Sequence, residues 1–129
     1  MIAVDTNVLV RILIDDDKQK QQTLLAREFA EKNICVFVAQ LVQVELVWVL
    51  SSAYELEKAE IIGILKHLYE NEAFVLQYEA HFVAGLQLHE TTNVGFADCL
   101  IAIESNYANC DVITFDKKFA KLSRVNLLT

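Results

Sequence analysis

The chain has 129 residues, of which 54% are hydrophobic and 22% charged, a balance that suits one domain with a real core and excludes a disordered chain. No apolar run approaches the roughly 18 residues of a membrane span, and with Asp5 early and Arg11 late the start lacks a secretion pattern, so a cytoplasmic location is expected. A formal charge of −7 excludes nucleic-acid binding through bulk electrostatics, although divalent cations held by acidic residues would offset part of it.

Taken in order, Met1–Val4 is predicted as a buried-type strand and Thr6 to about Ile14 as a short helix. Asp15, Asp16 and Asp17 break the apolar pattern and cap a second helix over Lys18–Lys32, with Leu24, Leu25, Glu28 and Phe29 at near-helical spacing. Ile34–Val38 is a second strand, short and β-branched. Gln40–Ala53 carries too many apolar residues for a one-faced helix and is expected to be largely buried. Glu57–Tyr69 is amphipathic, with Ile61, Ile62, Leu65 and Leu68 on one side. Ala73–Leu76 is a third strand and Glu79–His89 a further helix, followed by a loop at Thr91–Gly95. The stretch Phe96–Asp116 gives a helix, a tight turn at Ala108–Cys110 and a strand at Val112–Phe115. A short helix, Lys117–Leu122, and a strand, Val125–Leu128, end the chain.

Strands alternating with one or two helices imply an α/β fold with a mostly parallel sheet of about five strands, covered by helices on both faces as a three-layer sandwich. No linker, repeat or compositional shift divides the chain, so residues 1–129 are read as one domain. Cys35, Cys99 and Cys110 are odd in number and lie among apolar residues, which points to small core side chains in place of a disulfide frame or a zinc site. His67, His81 and His89 are not spaced as a zinc set and read as ordinary helix residues.

Four acids stand out by position. Asp5 and Asp116 follow apolar strands, where ligands gather in open α/β sheets. Asp98 lies at the start of its helix, and Glu45 is embedded in QLVQVELVWVL. Each has a simpler explanation. Asp5 and Asp116 suit helix caps, and Asp98 suits the positive end of a helix dipole. Glu45 falls within the arc of Val42, Leu46 and Val49, so it is expected to be buried, and a buried carboxylate is paired, protonated or metal-bound. As a set, the acids suit a hard cation, magnesium or manganese.

Val4-Asp5-Thr6-Asn7, Glu45, Phe96 to Ala102, and Ile113-Thr114-Phe115-Asp116 resemble, in this order, the signature of PIN-domain nucleases. Length and layout are similar to those of the VapC toxins of bacterial toxin–antitoxin pairs. The resemblance implies a PIN-like fold and an Mg/Mn-dependent endoribonuclease that leaves a 3′-hydroxyl and a 5′-phosphate. Asp5, Glu45, Asp98 and Asp116 would hold the metal, supported through hydrogen bonds by Asn7 and Thr114. An antitoxin partner and a homodimer are implied as well. The chain departs from the pattern at Ala39-Gln40, where many relatives open the helix with Ser or Thr, and at Lys118, where some carry a further acid.

Two alternatives belong to other classes. A haloacid-dehalogenase-type phosphatase also places an Asp after its first strand, but uses a second Asp two residues on as general acid, where this chain has Asn7. A nuclease fold kept as a silent binding module would have no need of all four acids.

Overall fold

Short β-branched runs become parallel strands, and each crossover between them is helical, as chain reversal between parallel neighbours requires. The computed structural model describes residues 1–129. Its elements are β1 (Ile2–Ala3), α1 (Thr6–Leu13), α2 (Lys20–Lys32), β2 (Val36–Val38), α3 (Gln40–Ser52), α4 (Lys58–Glu70), β3 (Phe74–Leu76), α5 (Glu79–Thr91), α6 (Phe96–Tyr107), β4 (Val112–Thr114) and β5 (Val125–Leu127). Two 3₁₀ turns, Asp17–Gln19 and Phe119–Lys121, complete them. All five expected strands are present and every pairing is parallel, so the fold is α/β. The chain gathers into two compact units, Met1–Gln77 and Tyr78–Thr129.

In the first unit the strand order is β1-β2-β3, with Ile2 opposite Val36 and Val36 opposite Phe74. Its core is aliphatic: Leu9 and Val10 of α1, Val36 and Val38 of β2, Leu46 and Leu50 of α3, and Leu65 and Leu68 of α4 are all buried. Burying each such side chain contributes about 1.5–3 kcal/mol. The inward face of α4 is Ile61, Ile62, Leu65 and Leu68, as the periodicity predicts, and a Glu57–Glu60 capping box starts that helix.

The expected helix over Lys18–Lys32 divides into a 3₁₀ turn and α2, because Asp16 caps from inside the acidic run by accepting from Lys18 N at 2.9 Å. The other Asp16 oxygen accepts from the Tyr54 hydroxyl at 2.9 Å, which itself accepts from Arg11 at 2.8 Å. Arg11 also donates to Gln22 at 2.9 Å, so one polar chain ties α1, α2 and the end of α3 together. The Tyr54 hydrogen bond, and then that of the Lys18 amide, hold the Asp16 carboxyl below its ordinary range.

Two expectations about burial are corrected, for α3 and for the cysteines, and α2 shows which of its sides faces inward. The inward ridge of α2 is Thr23 and Ala26, while Leu24 and Leu25 are exposed, because α2 turns its small side chains toward the core and its larger aliphatic ones outward. Helix α3 buries only Val42, Gln43, Leu46 and Leu50; Leu41 and Trp48 are each 70% exposed. Of the cysteines Cys99 alone is buried, Cys35 is half-buried and Cys110 exposed, and all are free.

The second unit packs α5 against α6. Gly85 permits the approach: a Cβ there would stand 2.8 Å from Leu100 Cδ2. Phe82 meets Phe96 edge-on at 5.7 Å, and buried His89 bonds the Val94 carbonyl at 2.7 Å through Nδ1. Val94, Cys99, Phe119 and Val125 form a further cluster. Strands β4 and β5 pair with Val112 opposite Val125. Arg124, in the left-handed region at φ 61°, braces their connection by donating to Asp111, Asn106 and Asn109.

Candidate active site

In the first unit β1 delivers Asp5 to the start of α1, where one carboxylate oxygen caps the helix by accepting from Val8 N at 3.0 Å. The next residue, Thr6, donates its hydroxyl to Glu45 Oε1 at 3.2 Å. That bond sets Glu45 beside the Asp5 end of α1. Glu45 is exposed, which corrects the expectation of a buried carboxylate. The helical arc was read as wholly apolar, but the core takes only the Val42–Leu46–Leu50 side of α3 and leaves the Leu41–Glu45–Trp48 side to solvent.

The start of α3 shows how the missing Ser or Thr cap is replaced. Ala39 has no capping side chain, and the Gln40 amide donates instead to Gln77 Oε1 at 2.9 Å. Gln43, fully buried, donates to the carbonyls of Val38 and Gln77. Two glutamines thus fix the entry to the Glu45 helix from the ends of β2 and β3, a long-range device that no local sequence signal announces.

In the second unit Asp98 occupies the first turn of α6, half-buried. Burial, and then the negative charge of Asp116, push its carboxyl above the ordinary value of 3.8. Asp116 is exposed after β4, and its Oδ1 accepts from the amides of Lys118 at 2.8 Å and Phe119 at 3.2 Å. Its own amide donates to the Thr114 hydroxyl at 3.0 Å. The cap readings of Asp5 and Asp116 are therefore correct as far as one oxygen of each goes, and the second oxygen of each is left for other work.

The structure brings Thr6 and Glu45 together in one unit, and Asp98 and Asp116 together in the other. The hydrogen bond that reaches Glu45 comes from Thr6; Asn7 is exposed in the first turn of α1. Thr6 was missed as a supporting residue, although it stands within the Val4–Asn7 motif. The histidines do not converge: His67 is exposed, His81 lies between Tyr78 and Tyr107, and His89 is buried in α5.

No group of three or more His, Cys, Asp or Glu side chains stands close enough to hold an ion by itself. Magnesium does not require one, since it is commonly held through one or two carboxylates, with water and substrate phosphate completing the shell. The Asp98–Asp116 pair fits that chemistry: Asp98, whose ionisation is opposed by burial and then by the charge of Asp116, gains from a cation held there.

The chain is similar to a VapC ribonuclease of Aquifex aeolicus (strain VF5), 26% identical over 125 residues that cover 95% of this chain and 92% of the relative. The model of the PIN domain family matches residues 2–125, taking in all four acids, and the chain belongs to that family.

Proposed function

We propose that the protein is a metal-dependent endoribonuclease and the toxin of a toxin–antitoxin pair. The observation that carries this reading is the PIN domain match over residues 2–125, within which the second unit sets Asp116 beside the half-buried Asp98. The likeness to a VapC ribonuclease supplies the substrate class. In this reading the Asp98–Asp116 pair holds Mg²⁺ or Mn²⁺, with water and substrate phosphate completing the shell, and Asp5 and Glu45 are the acids that the first unit contributes to the reaction. When bound, such an ion lowers the pKa of its water and offsets charge on the phosphate. Thr6 holds Glu45, Thr114 holds the backbone of Asp116, and Asn7 lines the same cleft as Asp5.

For the partner, a cleft of about 530 Å³ lined by Val4, Val8, Leu25 and Phe29, with Asp5 and Arg11 also in its wall, supports an antitoxin that brings an apolar segment and a basic group. The exposed Leu41 and Trp48 on α3 support a homodimer face.

The test is cleavage of a labelled single-stranded oligoribonucleotide and of total RNA with Mg²⁺, with Mn²⁺ and with chelator. Cleavage needs the ion and leaves a 3′-hydroxyl and a 5′-phosphate. Asp98→Asn lowers the rate by at least about a hundredfold, the scale of losing one electrostatic stabiliser of a transition state. Full activity in chelator, or in that variant, would overturn the assignment.

A further inference from the structure

Lys117, Lys118, Lys121 and Arg124 are all the lysines and arginines that the second unit contains, so its positive charge is confined to the segment after Asp116. The fold divides these cations by role. Arg124 is held by Asp111 at 2.6 Å and by two asparagines. The three lysines are exposed and carry no ion pair. The 3₁₀ turn Phe119–Lys121 fixes the direction of Lys118 and Lys121: Phe119 is buried with Cys99 and Val125, and Leu122 packs on the same cluster. Residues i and i+3 eclipse in such a turn, so with Phe119 and Leu122 inward, Lys118 and Lys121 share an outward side. Lys118 lies two residues from Asp116, within about 7 Å along the chain, and its amide binds the Asp116 carboxylate.

We propose that Lys117, Lys118 and Lys121 form a phosphate-binding rail that holds the RNA backbone beside Asp116. This rests on the nuclease reading above. A chain of charge −7 repels a polyanion at long range, and short-range contact with phosphates is then supplied by unpaired cations on an anchored turn. These are positioning residues. They contact backbone and not base, so they act on binding without reading sequence.

The test measures affinity of Asp98→Asn for a fluorescent single-stranded uridine dodecamer over a series of salt concentrations. Each phosphate contact on a single strand contributes about 0.7 to the slope of log affinity against log salt. Replacing all three lysines by Gln in the Asp98→Asn background is expected to flatten that slope by about 2, with affinity falling at least tenfold at low salt. Lys20→Gln in the same background, one exposed charge in the first unit, leaves the slope in place. On otherwise wild-type protein the triple replacement raises KM for the dodecamer with little change in kcat. An unchanged slope in the triple variant overturns the rail while wild-type cleavage keeps the nuclease reading intact. Equal flattening by Lys20→Gln overturns it too, as a plain net-charge effect. Absence of wild-type cleavage removes the nuclease reading itself.

Discussion

Asp98 is a residue whose ionised form opposes folding. Its folded-state pKa lies above the ordinary 3.8, through burial first and Asp116 second, so ionisation opposes folding. The penalty is absent below 3.8, grows as the pH rises from there, and is complete once the pH passes the raised value. In metal-free buffer Asp98→Asn therefore unfolds at a higher temperature than wild type at pH 7, and thermal scans down a pH series show the gap closing below pH 3.8. A variant no more stable at neutral pH would mean that the repulsion is relieved by other means. Asp5 and Asp116 divide their work, one oxygen accepting from backbone amides and the other free for a ligand. An amide cap alone would be satisfied by Ser, Thr or Asn as well as by Asp.

At the scale of elements, helix–helix approach decides which small residues are required. Gly85 sits where α5 meets Leu100 of α6, and an added methyl would press on a side chain that is itself buried. Overpacking costs about 1–3 kcal/mol, against about 1 kcal/mol gained in helix propensity. Gly85→Ala is expected to lower the unfolding midpoint. Gly63, in the interior of α4, has nothing within 4 Å of the same methyl, so Gly63→Ala gains about 1 kcal/mol and raises it. Denaturant melts of the two variants give opposite signs, and the same sign in both would undo the packing argument. The strands β1, β2 and β3 are short, and Gln77, just past the end of β3, reaches across to cap α3 through the Gln40 amide.

For the whole molecule, the proposed metal would link acidity to stability. A chain of −7 that sets Asp116 against a half-buried Asp98 is stabilised by any cation that binds the folded form alone. At a free concentration about 100 times its Kd, magnesium adds about 2.7 kcal/mol, read as a rise of several degrees in the unfolding midpoint. Chelator reverses the rise, and Asp98→Asn with Asp116→Asn abolishes it. A midpoint unmoved by magnesium or manganese would remove the metal from the proposal.

The sequence by itself determined the order and type of the elements, because 3.6-residue and two-residue periodicities act locally. Ile61, Ile62, Leu65 and Leu68 were legible as the inner face of α4, and β4 was legible as the carrier of Asp116. The PIN signature was legible too, since its residues stand in fixed order along the chain. Only the tertiary structure decided which side of α3 meets the core, and hence that Glu45 is exposed and reached by Thr6. It also decided that Thr23 and Ala26, not Leu24 and Leu25, turn inward from α2. A helix with apolar residues on every side carries no periodic signal of its own orientation; the neighbours against which it packs supply that choice, and they come from distant parts of the chain.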